Sequence, residues 1–268
     1  NGGVGLNFQW GDVTPGFSNN IVERNIVYNN GSDGIIICRD NNILRKNIIL
    51  KNNGNGIGIS GTYIFNGLTI NNNIISSNSR SAIDLSSNNN SDVYNNQILN
   101  SGKTGLSPAI NMPSSYVSST NDTISNNLFY NSKSNDFEIF YGPNVINSNN
   151  FLGSKADFFI KILNKAVFTI NATGNYWGTT LQSTIDSKIY DNSDDFELGT
   201  VLTTSKSNSI LITPPISPVS NVNKLLVDGK VVLTWTDNPE ADKAGYKIYY
   251  GGFTGYSYTN SVDATNVL

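Results

Sequence analysis

The chain has 268 residues and a formal net charge of -3, and only 14% of its residues are charged. This length accommodates one large domain or two small ones. Because the composition offers no basic surface, we expect neither nucleic acid nor anionic membranes as partners. The chain contains no His, which excludes His-based catalytic triads and His-ligated metals, and its one cysteine excludes an internal disulfide. Its apolar runs are too short for a membrane span.

A three-residue phrase that begins with Asn recurs along most of the chain. The Asn of each copy is Asn25, Asn47, Asn73, Asn96, Asn127, Asn150 or Asn175, and by subtraction the intervals are 22, 26, 23, 31, 23 and 25 residues. The length of the repeat varies, but each copy keeps its Asn, which we call the landmark. This pattern predicts a coil in which each turn repeats the core strands while loops of variable length project outward. Amide side chains both donate and accept, so we predict that these Asn residues stack as a ladder.

A small residue stands nine positions after the landmark and precedes a short alternating strand. The copies are Gly34-Ile-Ile-Ile, Gly56-Ile-Gly-Ile, Ala82-Ile-Asp-Leu, Gly105-Leu and Asp136-Phe-Glu-Ile. The alternation predicts a strand with inward pairs such as Ile35 and Ile37. The outward column is then predicted to be Asn7, Ile36, Gly58, Asp84, Ser107 and Glu138. Because Gly5-Leu-Asn-Phe repeats this phrase without a landmark, we expect Asn1 to be a boundary inside a longer coil.

The composition of the chain changes twice towards its end. We predict a coil with its C-terminal cap over residues 1–203, a Ser/Pro-rich linker over 204–217, and antiparallel strands over 218–268. Within the cap, the spacing of Ile185 and Ile189 predicts a short helix. The long interval between Asn96 and Asn127 predicts a protruding loop.

Two resemblances follow from these motifs. Through the Asn-Ile-x and Gly-Ile-x-Ile repeats, residues 1–203 resemble the right-handed parallel β-helix of pectate-lyase-like proteins and of NosD-like repeat proteins of copper maturation. The segment that begins at Asn175-Tyr-Trp-Gly resembles the closing segment of bacterial surface β-helices. Residues 216–268 resemble the first half of a fibronectin type III sandwich, with Trp235 as its core tryptophan. The resemblance implies an all-β bacterial protein, extracellular or at the cell surface. It does not specify a function, because this fold supports many activities.

Two sets of residues are candidates for catalysis. Asp84 and Glu138 are predicted to lie two turns apart, about 9.6 Å between backbones from the strand spacing, which is a range that suits inverting glycoside hydrolysis. The alternative is that both are solvated surface residues. Lyases of the resembled fold pair a basic side chain with bound calcium, which makes Arg39 and Arg80 candidates, although isolated surface bases are the more frequent explanation.

Other residues are candidates for binding. The aromatic residues Trp10, Phe140 and Tyr141 lie at or beyond the end of the small-residue strand, where rings could pack on sugars or simply fill a corner. The acidic loop with Asp191, Asp194 and Asp195 offers carboxylates for Ca²⁺, or it is a solvated loop. We otherwise expect no cofactor.

The leading functional hypothesis is a secreted or cell-surface module that binds glycans, mediates adhesion or serves as a scaffold. Its support is a neutral surface rich in Asn and Ser without a catalytic signature. The alternative is a polysaccharide lyase or glycoside hydrolase that acts in a groove across the strands. The expected partner in both cases is a polysaccharide or cell-surface glycan, and the sequence does not predict the oligomeric state.

Overall fold

The chain forms two compact units, Asn1–Pro215 and Ile216–Leu268. The computed structural model describes residues 2–8, 18–59, 64–86, 88–102, 105–113, 120–142, 144–251, 258 and 260–264. Trp10 lies outside the described residues. Within them the structure is almost entirely β, with a single short helix, α1 (Gln182–Asp186). No helix in the described part of the chain has the length and apolar character that crossing a membrane requires.

The first unit is a coil of three parallel sheets. Sheet 1 contains β1 (Leu6–Phe8), β4 (Ile35–Ile37), β7 (Ile57–Ile59), β11 (Ile83–Asp84), β15 (Ile110–Met112), β18 (Phe137–Ile139), β21 (Ile160–Ile162) and β23 (Ile189–Tyr190). Sheet 2 contains β2 (Ile21–Glu23), β5 (Ile43–Arg45), β9 (Thr69–Asn71), β13 (Asp92–Tyr94), β16 (Thr123–Ser125), β19 (Val145–Asn147), β22 (Thr169–Asn171) and β24 (Thr200–Leu202). Sheet 3 contains β3 (Ile26–Tyr28), β6 (Ile48–Leu50), β10 (Ile74–Ser76), β14 (Gln97–Leu99), β17 (Leu128–Tyr130) and β20 (Asn150–Leu152). A small additional pair joins β8 (Phe65–Asn66) and β12 (Asn88–Asn89).

The alternation in the sequence decides which side chains face the interior. The predicted inward pairs of sheet 1 are buried, which confirms the pattern; they are Ile35 and Ile37, Ile57 and Ile59, Ile83 and Leu85, and Phe137 and Ile139. Sheets 2 and 3 instead bury the middle residue of each three-residue strand, for example Leu44 and Ile49. Each turn therefore contributes apolar side chains from three directions to one continuous core.

An amide ladder follows the corner between sheets 2 and 3. It runs through Asn25, Asn47, Asn73, Asn96, Asn127, Asn149 and Asn175, with Nδ2–Oδ1 distances between 3.0 and 3.1 Å. Each Oδ1 also accepts the backbone N–H of the preceding ladder residue, at 2.9 Å from Asn47 to Asn73. Because the Nδ2 donor and the Oδ1 acceptor of a ladder side chain are both hydrogen-bonded, the side chain can be buried at the corner without a large free-energy cost.

The predicted ladder position of Asn150 is wrong by one residue, because Asn149 occupies it. The strand β20 pairs with β17 so that Asn150 stands beside Leu128 and Phe151 beside Phe129. This register turns Phe151 inward, where its ring stacks between Phe129 at 4.8 Å and Trp177 at 4.6 Å. With Asn150 in the ladder, Phe151 would face outward and the aromatic stack would be lost.

The strand predicted at Gly105-Leu is also wrong, and with it the outward position of Ser107. In that turn sheet 1 is formed by β15, where Ile110 and Met112 are fully buried and Asn111 faces outward. Leu106 is 85% exposed. The longer loop in this turn displaces the strand, and the position of the buried apolar pair decides the register.

The segment after Asn175 continues the coil. The helix α1 buries Ile185, as the spacing predicts. Ile189, however, belongs to β23 and pairs with Ile160 in sheet 1. The strand β24 likewise extends sheet 2 through pairing with β22.

The second unit contains two antiparallel hairpins, β25 (Ser220–Val227) with β26 (Lys230–Thr236) and β27 (Tyr246–Tyr250) with β28 (Asn260–Ala264). The predicted turn at Asp228-Gly229 joins the first pair, with φ angles of 48° and 73°. Trp235 is half-buried and packs edge-on against Tyr246 at 5.1 Å. These strand pairs are antiparallel, as expected, but they are small, and the fibronectin type III sandwich stays a prediction.

Candidate functional site

The outward positions of sheet 1 form one column that runs along the coil. In chain order the column reads Asn7, Ile36, Gly58, Asp84, Asn111, Glu138, Lys161 and Tyr190. Carboxylates and an amide occupy its middle, and a cation and a ring occupy its end. Because neighbouring strands are about 4.8 Å apart, these side chains are close enough for one extended ligand to contact several of them.

Asp84 contributes a carboxyl group to the middle of this column. It is half-buried, and its burial raises its pKa above the ordinary value. Ser86 opposes the shift through two bonds to Oδ1, one from its hydroxyl and one from its backbone N–H at 3.0 Å. Asn111 donates to Oδ2 at 3.3 Å. A carboxyl group with a raised pKa retains a proton to a higher pH, as a general acid requires.

Asp33 joins this group although it lies outside the column. Its Oδ2 fills the space beside Gly58, 2.4 Å from the position that a Cβ would take. Its Oδ1 accepts the backbone N–H of Asn55 at 2.7 Å. The negative charge of Asp33 contributes to the raised pKa of Asp84. The missing side chain at Gly58 therefore allows Asp33 to approach the column, and this contact depends on space that the sequence pattern alone does not reveal.

A cationic and aromatic cluster follows the carboxylates. Glu138 accepts a bond from Asn135 at 2.8 Å and stands beside Lys161 of the next turn. The Lys161 ammonium lies 5.7 Å from the ring centre of Phe158 and 5.9 Å from that of Tyr190. The two rings are 5.6 Å apart. Rings beside a cation and a carboxylate offer both apolar and polar contacts to a ligand.

We call Asp33, Asp84, Asn111, Glu138, Phe158, Lys161 and Tyr190 the sheet 1 face. The sequence indicated only Asp84 and Glu138 of these residues. The alternation in Ile160-Lys161-Ile162 is a signal by which Lys161 could have been found. Tyr190 was missed because its neighbour Ile189 was assigned to a helix, and Asn111 because the strand in its turn was placed too early.

The basic candidates do not come together. Arg39 lies two residues after the end of the sheet 1 strand in its turn, and its guanidinium lies 6.0 Å from the ring centre of Phe65. Arg80 is exposed and precedes the sheet 1 strand two turns away. The two arginines thus stand at opposite ends of the strands. Neither belongs to the sheet 1 face.

The aromatic candidates lie at a corner. Phe140 and Tyr141 are half-buried just after β18, with ring centres 6.5 Å apart. The backbone carbonyl of Tyr141 accepts the Asn144 amide at 2.8 Å. These rings follow Glu138 in the same turn, so they flank the sheet 1 face.

The acidic loop near the end of the coil is held by its own backbone. Asp191 is only 5% exposed and accepts bonds from the backbone N–H groups of Ser193 at 2.9 Å and Val201 at 2.8 Å. Asp194 accepts the N–H of Asp191, and Asp195 that of Glu197. Asp191 also borders a cavity of about 340 Å³. Among the described residues no group of three or more acidic or thiol side chains converges on a common point. Calcium binding by this loop remains a prediction.

Comparison with known proteins adds one match. A family model described as a right-handed β-helix region matches residues 13–106. The coil of the first unit is a right-handed parallel β-helix. Searches of curated proteins and of solved structures returned no match to the chain. The β-helix therefore determines how the sheet 1 face is built, and its chemistry has to be argued from the side chains themselves.

Proposed function

We propose that this protein is a secreted or cell-surface module that binds glycans through the sheet 1 face. The observation that carries the proposal is the cluster in which the Lys161 ammonium lies within 6 Å of the ring centres of both Phe158 and Tyr190. Lys161 also stands in one column with Glu138, Asn111 and Asp84. The C–H faces of a sugar pack on aromatic rings, while carboxylates, amides and ammonium groups bond to its hydroxyl or acidic groups. A β-helix of this kind also serves adhesion or scaffolding, because its surface is long and regular.

A glycan microarray tests this proposal. We expect the full chain to bind at least one class of polysaccharide, and a double variant with Phe158→Ala and Tyr190→Ala to lose that binding. Tyr94→Ala is the matched control, since Tyr94 is a half-buried outward ring on sheet 2. Failure to bind any glycan, or equal binding by the double variant, would refute glycan recognition by this face.

The second candidate function is cleavage of a polysaccharide, either by hydrolysis or by the elimination reaction of a lyase. It is favoured by the raised pKa of Asp84 and by its position two turns from Glu138, with Asn111 between them. In the hydrolytic reaction Asp84 would donate a proton to the leaving oxygen, and Glu138 would take a proton from the water that attacks the sugar. Incubation with neutral and uronate polymers, with and without Ca²⁺, would then release reducing or unsaturated ends, and Asp84→Asn would prevent it. Absence of product from every polymer would remove this candidate.

A further inference from the structure

The last turns of the coil contain a small cavity that is separate from the sheet 1 face. Sheet 3 ends at β20, and after Trp177 the chain leaves the coil and forms α1. Residues of these segments border a cavity of about 240 Å³. Its walls include Phe151, Ser154, Phe159, Trp177, Thr184 and Lys188. Gly153 and Gly178 also border the cavity and are exposed, so it is open to solvent on their side.

Three aromatic rings give this cavity an apolar wall. Trp177 stacks on Phe151 with ring centres 4.6 Å apart, and it is tilted against Phe159 at 5.1 Å. The rings of Phe151 and Phe159 are 5.5 Å apart, and all three side chains are buried. Rings that are fixed by their neighbours in this way offer a preformed apolar surface to a small planar ligand.

Lys188 adds a positive charge to the wall. Its carbonyl accepts the backbone N–H of Phe159 at 2.7 Å, which places Lys188 one turn further along the coil. Its ammonium lies 5.2 Å from the ring centre of Phe159 and donates to the carbonyl of Ala156 at 2.8 Å. Within the described ranges no carboxylate forms an ion pair with Lys188. Because an ammonium has three N–H groups, Lys188 can donate to a ligand and still retain its bond to Ala156.

Trp177 carries a second donor that lacks an acceptor. Its side chain is 1% exposed, and its Nε1 is buried without a hydrogen-bond partner among the residues that the structure describes. An unsatisfied buried donor is costly, and it calls for a physical explanation. An acceptor oxygen that enters the cavity beside the indole would satisfy this donor once the ring tilts towards it.

The donors, the rings and the volume together indicate the chemistry of the ligand. One ammonium favours a single negative charge, such as that of a carboxylate, over the higher charge of a phosphate. The aromatic wall favours a planar apolar body. Since an apolar cavity of about 150 Å³ holds benzene, a cavity of about 240 Å³ accommodates a benzene ring that carries one carboxylate.

We propose that this cavity binds a small aromatic carboxylate whose oxygens contact the Lys188 ammonium. The ring of the ligand lies against Phe151, Phe159 and Trp177. The cavity is enclosed by the end of the coil and by α1, whereas the sheet 1 face points outward. The inference is therefore independent of glycan binding.

Ligand-observed fluorine NMR with para-fluorobenzoate and the full chain tests this proposal at about pH 6. At that pH Asp136, which accepts a bond from Ser154 of the cavity wall, is mostly protonated, because burial raises its pKa to about 7. Its charge therefore does not repel the probe. We expect saturable line broadening of para-fluorobenzoate, and at least tenfold weaker binding of the neutral para-fluorobenzamide.

Two variants locate the probe. Lys188→Met removes the charge but keeps an apolar stem, so it should weaken the binding of para-fluorobenzoate at least tenfold and leave that of para-fluorobenzamide unchanged. Lys155→Met is the matched control, because Lys155 is an exposed lysine next to Ser154 that does not line the cavity. Thr184→Trp fills the cavity from α1 and should abolish binding. Thermal melting by circular dichroism verifies that each variant is folded.

Four outcomes would overturn the proposal. The first is the absence of para-fluorobenzoate binding up to about 10 mM, and the second is binding of para-fluorobenzamide that is equally tight. The third is an equal loss in Lys155→Met and Lys188→Met. The fourth is full binding by a folded Thr184→Trp variant, which would place the probe elsewhere on the molecule.

Discussion

Asn149 donates from Nδ2 to Oδ1 of Asn175 at 3.1 Å inside the coil, whereas the side chain of the adjacent Asn150 points outward and donates to the backbone carbonyl of Leu211 at 2.9 Å. Two consecutive asparagines thus have separate structural roles. The first extends the amide ladder, and the second attaches the segment that follows the coil. This division leads to predictions that distinguish a stacked coil from a chain that is merely rich in asparagine.

Removing one ladder amide should destabilise the coil markedly. Asn96 Oδ1 accepts the backbone N–H of Asn73 at 2.9 Å and its Nδ2 at 3.0 Å, and both donors are buried. We expect Asn96→Ala to cost about 3 kcal/mol, because two buried donors lose their acceptor. Urea unfolding followed by circular dichroism measures the shift. The exposed Asn208→Ala is the control, and an equal effect in both variants would contradict the ladder.

Substitution of Asn149 and Asn150 should affect different parts of the molecule. Asn149→Ala interrupts the ladder and lowers the unfolding midpoint of the coil. The side chain of Asn150 donates to the carbonyl of Leu211 and accepts its N–H, and Asn150→Ala removes both bonds. We therefore expect faster amide hydrogen exchange in residues 207–212, while the exchange of the ladder corner stays slow. Hydrogen-exchange mass spectrometry resolves the two segments. Equal protection of residues 207–212 in both variants would be inconsistent with the role assigned to Asn150.

A methyl group at Gly56 should not be tolerated. A Cβ there would lie 2.6 Å from the carbonyl oxygen of Ala82 and 2.6 Å from a methyl carbon of Ile75. We expect Gly56→Ala to destabilise the coil by about 2 kcal/mol, since backbone of the next turn has to move. Gly58→Ala should cost less, because the nearest atom is the carboxylate oxygen of Asp33. Thermal unfolding of both variants tests this order. A larger loss of stability in Gly58→Ala than in Gly56→Ala would contradict it.

Buried Asp136 should make stability depend on pH. It is fully buried, and this burial raises its pKa from 3.8 to about 7 although Ser154 donates to Oδ2 at 3.0 Å. The folded state therefore binds the proton more tightly than the unfolded state. Its stabilising contribution is complete below about pH 3.8 and is lost as the pH rises to about 7.

Asp136→Asn removes this dependence while it retains a neutral side chain of similar size. Relative to the parent chain, we expect the variant to gain at most about 4 kcal/mol between pH 4 and pH 8, at 1.36 kcal/mol for each unit of pKa. Urea unfolding at both pH values provides the difference. An equal stability difference between the two chains at pH 4 and pH 8 would mean that Asp136 does not titrate in this range.

The repeat predicts the turns of the coil well because two constraints coincide at each of them. An amide at the corner and a buried apolar residue two positions later, as at Asn47 and Ile49, leave one acceptable register. The prediction failed where a second Asn stood next to the first, at Asn150, and where an extended loop moved the strand to Ile110. At both places the position of the landmark Asn is compatible with two strand registers, and the packing of buried side chains determines which one forms.

The sequence predicts less of the sheet 1 face than of the coil. Asp84 and Glu138 occupy outward positions of regular strands, so alternation alone identifies them. The contact of Asp33 with the space beside Gly58, and that of Lys161 with Phe158 and Tyr190, join residues from different turns. Such contacts depend on the three-dimensional register rather than on spacing along the chain.

The central claim, glycan recognition by the sheet 1 face, is tested most directly by affinity electrophoresis of the folded full chain in gels that contain a polysaccharide identified on the array. The account predicts that the polysaccharide retards the parent chain and Tyr94→Ala equally, and that it retards the Phe158→Ala, Tyr190→Ala double variant at least tenfold more weakly. Equal retardation of all three proteins, or of none with any polysaccharide, would contradict it.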